Sequence, residues 1–259
     1  MRFLKTKNYQ PKTNRKAFTL MEILIAASIF AIVMVIATGV LGQSSSFRGK
    51  IQAMRDTSED AKKISDMITR DARGAGYPAR LTLTLAGVPT SFDFKSGIIM
   101  IEKNATGDVN SLACYGTPCL NSYPSYTLGI GTSGGAVLIL ADKDNYKIYH
   151  YNYANPAYPP SFSMYYKTIP RLNASGAVIA LTTSDFTAPD STFTKINSDN
   201  TDIRFSANGF APDDTSTTKQ QPFIRFSLTA ETKGYTSKPK NSRAQITIQS
   251  AVTARSFAD

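Results

Sequence analysis

The sequence predicts an α+β fold, one long N-terminal helix followed by an antiparallel β-sheet domain. Two observations predict it. From Ile23 to Phe47 there are 25 residues without a charge, and apolar residues then recur at three- and four-residue steps as far as Ala72, which is the period of a helix. After Tyr77 the pattern changes to short runs of apolar and polar alternation between Gly, Pro, Asn and Asp, which is the period of a strand.

Length and charge set the frame. A chain of 259 residues has room for one anchoring segment and one globular core. The formal charge of +10 would suit a nucleic-acid partner, but Arg2, Lys5, Lys7, Lys12, Arg15 and Lys16 supply six of those charges before residue 18. The remainder carries 23 basic against 19 acidic residues, an ordinary surface, so direct nucleic-acid binding is not expected.

Residues 1–15 are basic and lack apolar periodicity, and they read as a cytoplasmic leader. The uncharged run that follows is longer than the roughly 20 residues needed to cross a bilayer, and residues 20–41 are read as the membrane-spanning part of the chain. Basic charge before the span and a large domain after it place the N-terminus in the cytoplasm and the domain on the exported side of the membrane. An ordinary secretory signal has a shorter apolar region and no acid. A plain anchor explains the length but not Glu22, because an ionisable group in a spanning segment costs up to about 3 kcal/mol and is by default functional.

The run KAFTLMEILIA, from Lys16 to Ala26, resembles the processing signal of type IV prepilins and type II secretion pseudopilins. In that family a basic leader precedes a small residue, then Phe-Thr-Leu, one apolar residue and Glu. The resemblance implies a pilin-like fold with a cleaved leader (1–17), a transmembrane and filament-core helix (18–46), an amphipathic continuation (47–76) and a β-rich domain (77–259). It implies cleavage between Ala17 and Phe18, N-methylation of Phe18, and a role for Glu22 in assembly. Ala17 stands where the family usually has glycine. A new α-amine at Phe18 would lie four residues from Glu22, near the positive end of the helix dipole, so one carboxylate could neutralise one amine within a chain or between neighbours. The implied partners are other major and minor pilins, a prepilin peptidase and an inner-membrane assembly platform.

Within the helix, Gly39 and Gly42 precede Gln43 and three serines. Each interior glycine weakens a helix by about 1 kcal/mol relative to Ala, so a bend or locally melted turn is expected there, with the helix resuming at Phe47. Ile51, Met54, Ser58, Ala61, Ile64, Ile68 and Ala72 then form a stripe expected to pack on the following domain. Gly74 and Gly76 stop the helix, with Pro78 beyond. The boundary phrase ISDMITRDARGAGYP resembles the same place in PilW-type minor pilins, with Asp71, Arg73, Ala75, Gly76 and Tyr77 matching around an extra Gly74. A related but looser pattern in J-type pseudopilins keeps that reading as the alternative.

Eight runs read as strands, beginning at Leu81, Gly97, Ala136, Tyr146, Ala177, Asp202, Phe223 and Ala244. No helix-length periodic segment separates them, so an antiparallel sheet backed by the N-terminal helix is the simplest arrangement. The tyrosines from 146 to 166 are read as packing.

Signs of catalysis are lacking. There is no P-loop, dinucleotide fingerprint, nucleophile elbow or HExxH helix, no cofactor is expected, and the chain is read as a non-enzymatic subunit. The lone histidine, His150, is read as an alternating strand position. Cys114 and Cys119 bracket a turn and form a candidate disulfide if the domain is exported; with one distant histidine they make no zinc site. Asp142, Asp144 and Asn145 faintly suggest calcium ligands, as does the stretch DSTFTKINSDNTD, but the later glycine and glutamate of a twelve-residue loop are absent. Both read as solvated turns.

Overall fold

The computed structural model describes residues 19–85, 88–94, 97–103, 109–113, 126–128, 135–152, 162–185, 191–210, 223–235, 237–238 and 243–254. The chain divides into two units, residues 1–47 and 48–259. A single helix, α1 (Leu20–Gly74), contributes to both.

In the first unit, α1 is apolar on every side. Its large side chains from Leu20 to Phe47 are exposed, and it is long and apolar enough to cross a membrane. Two of its hydroxyls turn inward on the helix: Ser28 Oγ donates to the Ile25 carbonyl at 2.8 Å, and Thr38 Oγ1 to those of Met34 and Val35 at 3.0 Å. These bonds satisfy the donors without a neighbour, as a hydrocarbon layer demands. The interruption expected at Gly39 and Gly42 does not occur; both lie within the continuous helix. Two glycines cost roughly 2 kcal/mol together, and helix propagation is cooperative enough to carry α1 through them once both flanks are helical.

In the second unit, the buried face of α1 is Thr57, Ala61, Ile64, Ser65, Ile68, Asp71 and Ala72. The expected stripe is therefore correct from Ala61 onward and wrong before it. Ile51 is 63% and Met54 47% exposed, and the buried hydroxyl is that of Thr57 rather than Ser58. Thr57 satisfies itself by donating to the carbonyls of Ala53 and Met54.

Thirteen strands among the described residues form three sheets. In chain order they are β1 (Ala79–Leu85), β2 (Val88–Phe94), β3 (Ile98–Lys103), β4 (Val109–Ala113), β5 (Tyr126–Leu128), β6 (Gly135–Ala141), β7 (Asn145–Asn152), β8 (Ser163–Pro170), β9 (Ala180–Thr182), β10 (Thr194–Lys195), β11 (Thr201–Phe210), β12 (Phe223–Thr232) and β13 (Gln245–Thr253). The sheet orders are β2-β1-β9, β10-β8-β7-β6-β3-β4 and β13-β12-β11-β5. All pairs are antiparallel except β1 with β9.

This is more than one sheet backed by a helix, and the reason is in the strands. Ile98 and Met100 of β3 face one core while Ile99 and Ile101 face another, and β6 divides in the same way. A sheet apolar on both faces must be covered on both. On one side lie α1 and the four-stranded sheet, which contribute Ile64, Ile68, Phe205, Phe226 and Leu228. On the other lie Leu81, Phe94, Leu181 and Phe193. Tyr146, Tyr149 and Tyr151 are fully buried, which agrees with the packing reading. His150 is buried on β7, with its ring edge-on to Phe193 at 5.9 Å between centroids.

Candidate functional site

The acid singled out by the sequence sits in the first turn of α1. Thr19 lies just before the helix, and the two residues hydrogen-bond reciprocally. The Thr19 N–H and hydroxyl donate to Glu22 Oε2 at 2.9 and 3.1 Å, and the Glu22 N–H donates to Thr19 Oγ1 at 3.3 Å. This is a capping box, which satisfies backbone donors that the first turn leaves without helical partners. The carboxylate also lies at the positive end of the helix dipole, where it is favoured.

The geometry corrects one step of the sequence argument. A plain helix does supply a reason for Glu22, since the Thr-x-x-Glu spacing alone makes it a cap. That spacing was the available signal. The carboxylate is exposed, like the apolar side chains around it, and its bonds to Thr19 use one of its two oxygens. Ala17 and Phe18, the expected processing site, lie outside the described residues, as do Cys114 and Cys119.

A second polar cluster lies at the other end of α1. Asp71, fully buried in the last turn of α1, accepts hydrogen bonds from Tyr149 Oη at 2.6 Å, Lys147 Nζ at 3.0 Å and Arg70 Nε at 3.2 Å. Lys147 also pairs with Asp142 at 3.0 Å, and Asp142 Oδ1 accepts from the N–H groups of Asp144 and Asn145. Burial pushes the Tyr149 phenol up, and the Asp71 carboxylate pushes it further. For Lys147 burial acts downward but the two carboxylates outweigh it, and its ammonium is held above the ordinary lysine value. For Asp142 burial acts upward, and Lys147 with the two backbone N–H groups outweighs it, leaving the carboxyl below its ordinary value. The calcium reading of this turn loses ground because Asp142 is already committed to a lysine and to its own turn. In the second stretch, Asp199 pairs with Lys195 and the buried Asn197 binds Met164 N–H and the Thr201 carbonyl. Among the described residues no cluster of three or more His, Cys, Asp or Glu could hold a metal.

The cluster of charges at Asp71 fastens a helix to a strand. The exposed segment around Glu22 fastens nothing among the described residues beyond its own first turn. Residues 12–38 match the prokaryotic N-terminal methylation motif. The match covers the end of the basic leader, Ala17, Phe18, Thr19, Glu22 and most of the apolar span. No curated protein and no solved structure matches the chain. The methylation motif supports a type IV pilin-like or pseudopilin protein, points to a structural subunit, and implies association with a membrane and with other pilins.

Proposed function

We propose that the chain is a minor pilin of a type IV pilus, of the PilW type, which helps to initiate or cap the filament. The observation that carries this reading is a carboxylate fixed in the first turn of an exposed apolar helix, inside a matched methylation motif. In the membrane, α1 is held by its apolar length. After cleavage between Ala17 and Phe18, Glu22 faces an α-amine, its own or that of a neighbour, and a charge pair in a low-dielectric layer directs the helix into a bundle of helices. A retained acid fits a subunit that meets a neighbour's amine and does not fit the extreme tip, which has no such neighbour above it. The sheet domain lies on the exported side and is carried to the cell surface.

The test is the mass of the mature N-terminal peptide. N-methyl-Phe18 is the expected result, and an intact Met1 or a cut after residue 42 would overturn the reading. A J-type pseudopilin of type II secretion shares the helix, the fold and the processing. Deletion separates the two: loss of pili with secretion intact supports the minor pilin, and loss of secretion with pili intact supports the pseudopilin.

A further inference from the structure

A sheet edge is a row of unpaired backbone N–H and C=O groups, and folded proteins blunt such rows with short strands, proline, charge or bulges. Five of the six edges among the described strands are blunted in one of these ways. β5 and β9 have three residues each and β10 has two. β4 is joined to β3 across a register shift at Glu102 and Lys103, and β2 contains Pro89 and the charged Asp93. The sixth is β13, nine residues of QITIQSAVT with no proline, glycine or charge and an unbroken nine-pair register on β12.

The flanks of this edge specify what would add to it. On the inner face Ile246 and Ile248 pack against the core but remain only partly buried, so an added strand would complete their cover with apolar side chains. On the outer face Arg225 is exposed and makes no ion pair among the described residues. It stands directly opposite Ala251, the smallest outward side chain of β13. Adjacent strands lie about 4.8 Å apart, and the β13 side chain in register between Arg225 and the position beyond the edge is the methyl group of Ala251.

We propose that β13 is a docking edge for an extended segment of a different protein, with apolar residues in alternation and a carboxylate in register with Ala251. A second copy of this chain fits poorly. Of the six edge strands only β2 carries an acid, Asp93, and that acid already pairs with Arg80. The inference is independent of the assembly role assigned to α1.

The test uses the full chain in detergent micelles, with hydrogen exchange of β13 amides read by NMR. The probe is the blocked peptide Thr-Val-Thr-Val-Glu-Val-Thr-Val-Thr, compared with the same peptide carrying Lys in place of Glu. The expected result is slowing of alternate β13 amides by at least tenfold with the Glu peptide, at a concentration where the Lys peptide has no effect. Arg225→Gln should erase that preference and Arg225→Glu should invert it. Equal effects of both peptides, or no change at β13 with either, would overturn the proposal. Protection of β13 that rises with protein concentration in the absence of peptide would also overturn it, by assigning the edge to a second copy.

Discussion

Tyr149 of β7 donates a 2.6 Å hydrogen bond to Asp71 of α1, across 78 positions of sequence and in full burial. The carboxylate is doubly unfavourable where it stands, desolvated and near the negative end of a helix dipole. Lys147 at 3.0 Å offsets both effects. Removing one partner strands the other, so the costs should exceed those of ordinary surface pairs. Lys147→Met is expected to destabilise by about 3 kcal/mol or more, and Tyr149→Phe by roughly 1.5 to 3 kcal/mol, the range for a bond to a charged group. The double variant Asp71→Asn, Lys147→Met should cost less than the two single variants added together. Denaturant unfolding of the four proteins gives the coupling directly, and strict additivity would show that the groups do not act as one unit.

The same network sets a pH dependence. The Asp142 carboxyl is held below its ordinary value of 3.8, so its contribution is present above that value and lost as pH falls through the lower, folded-state value. The Lys147 ammonium is held above 10.5, so its contribution is complete below that value and lost as pH rises past the folded-state value. Stability should therefore be flat through neutrality as far as this pair is concerned, with losses in strong acid and strong alkali. Lys147→Met should flatten the alkaline limb and shrink the acid one. Melting temperatures from pH 2 to 11 check both limbs.

Gly97 marks a place where backbone alone fills the space. A Cβ there would stand 2.5 Å from the Ala141 carbonyl oxygen and 2.8 Å from those of Ala75 and Tyr77. None of these can swing aside like a side chain, so Gly97→Ala is expected to cost about 3 kcal/mol. Gly49 is the opposite case, with nothing within 4 Å of an added Cβ in a helix interior. Gly49→Ala should stabilise by roughly 0.5 to 1 kcal/mol. Opposite shifts of the unfolding midpoint are the expected outcome, and shifts of the same sign would contradict this account of Gly97.

The long helix and most of the strands were legible because their periods are written into the residues, as in LTLTL of β1 and AVLILA of β6. What escaped was set by partners distant in sequence. β8, SMYYKTIP, has no clean alternation because one face lies on Tyr149 and the other near the three-stranded sheet's core. β4, β5 and β10 are too short to show a period at all. At the site, Glu22 was found but half explained. The hydroxyl that holds it was three residues away in plain view, while the amine expected to engage it belongs to a residue outside the described part of the chain. Asp71 carried a quieter signal: it falls on the buried stripe with Ile64 and Ile68, where an acid needs a cation brought by another element.

Glu22 now has two candidate roles, and one substitution separates them. As a cap, its side chain accepts the Thr19 N–H, and glutamine does the same at this position. As an assembly charge, it must be ionised, and glutamine never is. Glu22→Gln should leave helix content and membrane insertion unchanged while sharply reducing incorporation into filaments. Glu22→Ala should lose incorporation and also fray the first turn, at about 1 kcal/mol. Thr19→Ala should fray the turn while leaving the charge in place, so its incorporation defect should be the mildest of the three. Circular dichroism in micelles reads the helix, and immunodetection of the chain in sheared filaments reads incorporation. Wild-type incorporation of Glu22→Gln would reduce Glu22 to a cap and remove charge pairing from the proposed mechanism. A defect in Glu22→Gln matched by an equal one in Thr19→Ala would instead assign the effect to the geometry of the first turn.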